Sequence, residues 1–185
     1  MLFHGRSGRR EPYIINHFLT KGSVVTPAYP GYYSSSGTPK VKNIYNMAKN
    51  IMPFIKKNFP SDIKIHVVGF SLGSQPAFYF GTLYDKEIEN LIIIGGFDSI
   101  YNMCKNSDSY ILKCLLTKNH FDNLKLTNKF LYTKYYQYHH PYDKTVPYIR
   151  AKNLFNNVKS EKKYFIDLKK GDHSNIPIET ILKNF

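Results

Sequence analysis

Residues 65–75 read Ile65-His66-Val67-Val68-Gly69-Phe70-Ser71-Leu72-Gly73-Ser74-Gln75, and the G-x-S-x-G at 69–73 decides the fold. The pattern describes a serine lifted onto a sharp turn between a strand and a helix, with its hydroxyl exposed. Gly69 and Gly73 leave room for two backbones to meet at that turn. Composition alone would produce the pattern in roughly one chain in twenty of this length, so its setting has to carry the reading. Ile63, Ile65, Val67 and Val68 form a short β-rich run leading in. Ala77-Phe78-Tyr79-Phe80 suits a buried helix leading out. Strand, turn and helix follow in the order the motif requires.

A serine hydroxyl is a weak nucleophile at neutral pH, so Ser71 needs a base and a group to orient that base. The last histidine, His173, stands in Lys170-Gly171-Asp172-His173-Ser174-Asn175, just past a strand-like run at 163–168. Asp143 stands earlier, in His140-Pro141-Tyr142-Asp143-Lys144-Thr145-Val146-Pro147, after a strand-like run ending at Tyr136. Loops that follow strands are where open α/β sheets gather their chemistry. Ser71 is therefore the candidate nucleophile, Asp143 the candidate acid and His173 the candidate base. Asp167 and Asp172 stay open as alternative acids. Near the start, Leu2-Phe3-His4-Gly5-Arg6-Ser7-Gly8 reads as a strand ending in an HG-type loop. An oxyanion would be held there by the backbone N–H of Arg6 and by that of Leu72, which follows the nucleophile. His4 reads as support for the loop, with a second catalytic histidine as the alternative. His139 and His140 with Asp143 could form a metal site, but no spacing such as H-E-x-x-H accompanies them. No metal and no cofactor is expected.

Together these segments resemble the α/β-hydrolases, and within them the membrane-associated α/β-hydrolase-domain depalmitoylases and their relatives. The similarity runs nearly end to end. Leu2-Phe3-His4-Gly5 is similar to the family's oxyanion strand, and Tyr29-Pro30-Gly31-Tyr32-Tyr33-Ser34-Ser35-Ser36-Gly37-Thr38-Pro39 to its Y-x-G-Y-G-x-S-x-G-x-P loop. Ser71-Leu72-Gly73-Ser74-Gln75-Pro76 resembles the S-x-G-x-x-P that opens its nucleophile helix. Phe121-Asp122-Asn123-Leu124 resembles a short stretch ahead of the acid-bearing strand, and the Asp143 and His173 loops resemble its acid and base loops. The sequence departs from the family in three places. It enters inside the oxyanion strand, without the two strands and cysteine-rich segment that precede it; Tyr33 replaces a usual glycine; and His139-His140-Pro141 replaces the common HG before the acid. The resemblance implies a shortened hydrolase fold more firmly than it implies depalmitoylation of protein.

The 185 residues suffice for one core, burying roughly 70% of the unfolded chain's surface. A single α/β-hydrolase domain over 1–185 is expected, with 98–126 as a small cap-like insertion. No apolar stretch of about 18 residues is present, and no charged segment followed by an apolar run marks a signal peptide. Cys104 and Cys114 are too few for a disulfide framework and read as reduced thiols, with a redox-active pair in the cap as the alternative. The expected location is cytoplasmic. The formal net charge of +13 points either to lysines that merely solvate the helices or to contact with an anionic membrane face. Its lysines are scattered as doublets such as Lys56-Lys57 and Lys162-Lys163, and no nucleic-acid-binding signature accompanies them, so no nucleic acid partner is expected.

Strands are predicted at 1–3, 23–28, 63–68, 91–94, 129–135 and 163–168, and helices at 11–21, 41–58, 72–84, 146–156 and 178–184. The 41–58 helix places Ile44, Met47, Ala48, Ile51 and Ile55 on one face. Such alternation implies a mostly parallel six-stranded sheet with helices on both faces and no antiparallel edge at its N-terminal side. Pro76 sits awkwardly inside the 72–84 helix, and the S-x-G-x-x-P it shares with the family suggests that this irregularity belongs to the turn at Ser71. The expected protein is a monomeric serine hydrolase of acyl esters or thioesters, of carboxylesterase, lipase or thioesterase type. A non-catalytic binding protein on the same fold is the alternative.

Overall fold

Side-chain alternation along the strands divides the core into two layers. The computed structural model describes residues 1–6, 11–104, 121–129, 131–169 and 171–185. Strands β1 (Leu2–Phe3), β2 (His66–Phe70), β3 (Asn90–Ile94), β4 (Lys134–His139) and β5 (Lys163–Asp167) form one sheet in that spatial order. Every pairing is parallel. Phe3, Val67, Leu91, Ile93 and Tyr135 face one apolar layer; Leu2, Val68, Ile92, Ile94 and Tyr138 face the other. A strand covered on both sides reads as an unbroken apolar run, which is why Leu91-Ile92-Ile93-Ile94 belongs to the centre of the sheet.

Helices α1 (Glu11–Leu19), α2 (Val41–Lys49), α3 (Ile51–Asn58), α4 (Ser74–Leu83), α5 (Ile100–Cys104), α6 (Tyr148–Asn157) and α7 (Ile178–Leu182) complete the described elements. Ala48, Met52, Ile55, Ala77, Phe78 and Leu154 bring α2, α3, α4 and α6 onto the first layer. Ile14, Phe18, Ile178 and Ile181 bring α1 and α7 onto the second. The sheet is thus covered on both faces.

Four expectations are corrected. The 23–28 segment is extended but forms no ladder, so the described residues hold five strands and not six. Its described main-chain link to β1 is Leu2 N–H to the Val25 carbonyl, 2.9 Å. β1 is only two residues long, and Pro27 has no N–H to donate. The 41–58 helix is two helices, interrupted at Asn50. Pro53 cannot bond back to the carbonyl of Lys49 and crowds it, so the chain restarts at Ile51 with Pro53 in a first turn. The strand expected at 129–135 lies later, at 134–139. Asp85 accepts hydrogen bonds from the N–H groups of Leu131, Tyr132 and Thr133 at 2.8 to 3.3 Å, which holds those residues as a turn outside the sheet. Finally, the helix expected from 72 begins two residues later, and the irregularity at Pro76 belongs to the turn at Ser71, as the motif suggests. Ser71–Gly73 form a 3-10 turn and α4 begins at Ser74, so Pro76 falls in the first turn, where its missing N–H has no helical partner.

Of the 98–126 insertion, residues 105–120 lie outside the described residues, and Cys114 with them. Its base is a bridge between Ser99 and Asp122. Buried Asp98 anchors that base, accepting from Ser99 N–H (2.6 Å), Asn102 Nδ2 (3.0 Å), Asn153 Nδ2 (2.6 Å) and Arg150 (3.2 Å). Cys104 ends α5 as a half-buried free thiol.

Candidate active site

Ser71 leaves β2 with φ +53, a left-handed conformation for a residue other than glycine. The turn is tight because Gly69 and Gly73 are glycine. A Cβ on Gly69 would lie 2.7 Å from Ala77 Cβ, and one on Gly73 would lie 2.2 Å from the Phe3 carbonyl oxygen. The same closeness brings the first loop alongside, since a Cβ built on Gly5 would lie 3.4 Å from Ser71 Cβ. Arg6, exposed, follows on that loop, and Leu72 sits within the 3-10 turn. His4 is buried with its ring stacked 4.0 Å from that of Tyr29, and its Nδ1 donates to the Gly5 carbonyl at 2.6 Å.

The structure brings Ser71, Asp143 and His173 together from three loops at the C-terminal ends of the strands. His173 Nε2 lies 3.0 Å from Ser71 Oγ, and His173 Nδ1 lies 2.6 Å from Asp143 Oδ2. Asp143 Oδ1 accepts from the backbone N–H groups of Thr145 and Val146, both at 2.8 Å. With the carboxylate accepting, Nδ1 carries the ring proton and Nε2 is free to accept from the serine. Burial alone would raise the Asp143 carboxyl, but the His173 hydrogen bond and the two backbone N–H groups outweigh it and hold it below the usual carboxylate range. The alternative acids are engaged elsewhere. Asp167 accepts from the Tyr148 hydroxyl at 2.7 Å, and Asp172 from the N–H groups of Ser174 and Asn175 at 2.7 and 2.8 Å.

His139 is hydrogen-bonded to the main chain. Its Nε2 donates to the Val146 carbonyl at 3.0 Å, so it braces the loop that carries Asp143. Among the described residues no group of three or more His, Cys, Asp or Glu is placed to hold a metal ion. Burial pushes His139 below the ordinary histidine range despite the nearby Asp143 carboxylate, and burial followed by the N-terminal charge does the same to His66. Between the lowered and ordinary values only the unfolded chain takes up these protons, so stability falls as pH drops below about 6.5. The lowered Asp143 carboxyl adds a second loss below about pH 4. Thermal midpoints measured from about pH 8 down to about pH 4 should decline throughout the lower part, and His139→Gln should flatten the decline near pH 6.

Three supporting residues were not singled out by the sequence reading for the work they do. Gly95, at the end of β3 with φ +57, lies against the imidazole: a Cβ there would come 3.1 Å from His173 Cε1. Gly95→Ala should therefore strain the backbone and displace the ring, lowering kcat by about a hundredfold with the overall fold kept. Steady-state rates with circular dichroism check this. Phe70 packs nearby, its ring 5.4 Å from that of His173. Asn123, fully buried, donates to Ser74 Oγ (3.1 Å) and to the Phe97 carbonyl (2.8 Å), tying the start of α4 to the chain after β3. The visible signals among them were the Gly95-Gly96 pair directly after an apolar strand and the family-like Phe121-Asp122-Asn123-Leu124 stretch.

A hollow of about 10 Å³ lies beside His173 and Asp143, lined by Phe70, Gly95 and Asp172 among others, and Ser71 does not line it. A cavity of about 430 Å³ lies at the opposite end of the strands, between Leu2, Phe18, Val25, Phe59 and His66. Size alone would favour the larger space. None of Ser71, His173 and Asp143 lines it, so the candidate site is placed by their hydrogen bonds and not by volume.

No protein-family model matches the chain, nor does any curated protein sequence. Solved structures do. Est1E from Butyrivibrio proteoclasticus, with ferulic acid bound, superposes with TM-score 0.69 at 13% identity, covering 98% of this chain and 82% of that one. Alpha/beta hydrolase domain-containing protein 10 from mouse gives 0.65 at 12% identity, covering 100% and 84%. MGS-MChE2, an alpha/beta hydrolase from a lagoon-sediment metagenome in Morocco, gives 0.66 at 19% identity, covering 98% and 85%. A parallel sheet covered on both faces, a strand-turn-helix at Ser71 and these superpositions lead to one conclusion: the chain has the α/β-hydrolase fold.

Proposed function

We propose that this chain is a serine hydrolase that cleaves acyl esters or thioesters through an acyl-enzyme. The reading rests on the continuous line from Ser71 Oγ through His173 to Asp143, at 3.0 and 2.6 Å. His173 Nε2 takes the Ser71 proton as Oγ attacks the acyl carbon, and the carbonyl electron pair moves onto oxygen. The N–H groups of Arg6 and Leu72 hold that oxyanion, while Asp143 keeps the imidazole tautomer and stabilises its charge. Collapse expels the alcohol or thiol, which receives the proton from His173. Water, giving a proton to the same nitrogen, then attacks the acyl group, releases the acid and restores Ser71. That the esterase domain of a Rhodothermus marinus protein superposes on this chain, with TM-score 0.63 at 16% identity, supports an ester as the substrate class. Labelling with a fluorophosphonate probe, followed by a chain-length series of acyl esters, tests the reading. The expected result is modification of Ser71 and ester turnover. Absence of both would leave a non-catalytic binding protein on this fold.

We further propose that the monomer works in the cytoplasm and meets acyl chains at an anionic membrane face. The support is the net charge of +13, with each well-placed Lys or Arg contributing about 1 kcal/mol at such a surface before screening. No helix among the described residues is long and apolar enough to cross a membrane. Sedimentation with anionic vesicles should show binding at low salt that falls at physiological salt, with neutral vesicles as control. No excess on anionic lipid would return the charge to solvating the helices.

A further inference from the structure

Among the described residues only two that are not glycine have positive φ: Ser71 at +53 and Tyr33 at +52. The first is the proposed nucleophile. The second is a bulky residue in a conformation that favours glycine, and its side chain is 66% exposed. Neither local preference nor burial accounts for a tyrosine there. Its loop is braced from several sides. Tyr32 N–H donates to the Tyr29 carbonyl and Ser35 N–H to the Tyr32 carbonyl, both at 2.9 Å, and Gly31 N–H donates to the Ser36 carbonyl at 3.2 Å. Such bracing can hold a strained residue in place, and strain of this kind clusters where it serves function.

The position of the ring indicates what it serves. Tyr33 stands edge-on to His4, with ring centroids 6.0 Å apart and planes at 69°. His4 adjoins Gly5, where a built Cβ comes within 3.4 Å of Ser71 Cβ. The exposed phenol ring therefore borders the loop that flanks the serine.

We propose that Tyr33 is a specificity-determining residue, its ring forming the wall against which the hydrocarbon part of an ester substrate packs beside Ser71. This rests on the hydrolase reading above. An aromatic face gives apolar contact area with few rotatable bonds, and its benefit grows with the length of hydrocarbon laid against it.

The test compares p-nitrophenyl decanoate with p-nitrophenyl acetate in the wild type, Tyr33→Gly and Tyr33→Phe. The decanoate-to-acetate ratio of kcat/KM should fall about tenfold in Tyr33→Gly, mainly through KM, and stay near the wild-type ratio in Tyr33→Phe. The thermal midpoint of Tyr33→Gly should not drop, because glycine relieves the left-handed backbone. An unchanged ratio in Tyr33→Gly would overturn the proposal whatever the absolute rates, as would a lowered midpoint with rates falling equally on both esters. Those results would make the ring a cover for His4. A wild type that neither hydrolyses an ester nor labels with fluorophosphonate would defeat the hydrolase reading itself and this proposal with it, so the two failures are told apart.

Discussion

Ser71→Ala is expected to abolish fluorophosphonate labelling and to lower ester turnover by about a millionfold, leaving only what binding and the oxyanion donors supply. The change deletes one oxygen whose described hydrogen bond is to His173 Nε2 at 3.0 Å. Alanine faces the same backbone demand at φ +53 as serine, so the turn is neither relieved nor newly strained. The stability change should stay within about 1 kcal/mol, the usual worth of one partly solvated hydrogen bond. Circular dichroism and thermal melting of the variant, beside the rate measurement, separate lost chemistry from lost fold. Full activity in a folded Ser71→Ala protein would end the serine-hydrolase reading.

Asp143→Asn should lower turnover by about ten-thousandfold with only a small loss of stability. The reason lies in how an amide would fill the carboxylate's place. Oδ1 of Asp143 accepts from Thr145 N–H and Val146 N–H at 2.8 Å each, so the asparagine oxygen is retained on that side. Its NH2 group then faces His173 Nδ1, where the carboxylate had accepted at 2.6 Å. Two donors cannot share that contact. The imidazole must move its proton to Nε2, the nitrogen that has to receive the proton of Ser71. Asp167→Asn and Asp172→Asn are the controls, and both should keep activity, since those carboxylates serve Tyr148 and the Ser174–Asn175 turn. Loss of turnover in either control, with Asp143→Asn active, would reassign the acid.

Several elements were legible because their causes are local. Val67-Val68 leading into a glycine-flanked serine, the apolar run at 91–94 and the amphipathic spacing after Val41 each depend on neighbouring residues. The break at Asn50 was also written locally, in Pro53, and was overlooked because the apolar face continues across it. The start of β4 was not legible. It is set by Asp85, which captures three N–H groups 46 to 48 residues further along and keeps them from the sheet. The missing sixth strand has the same character, since an edge segment becomes a strand only if its neighbour is long enough to pair with it.

The amino-acid sequence by itself determined the order of the candidate groups, the alternation of strand and helix, and the serine's place on a turn between them. These follow from chemistry carried within a few residues: side-chain polarity, backbone preference and period. Tertiary structure alone decided which aspartate meets His173, what Gly95 and Asn123 are for, and that Tyr33 stands over the loop beside Ser71. Each of those depends on distances between residues far apart in the chain. Such distances arise only when the sheet has brought its C-terminal loops to one edge, where hydrogen bonds and side-chain contacts select among groups that the sequence leaves equivalent.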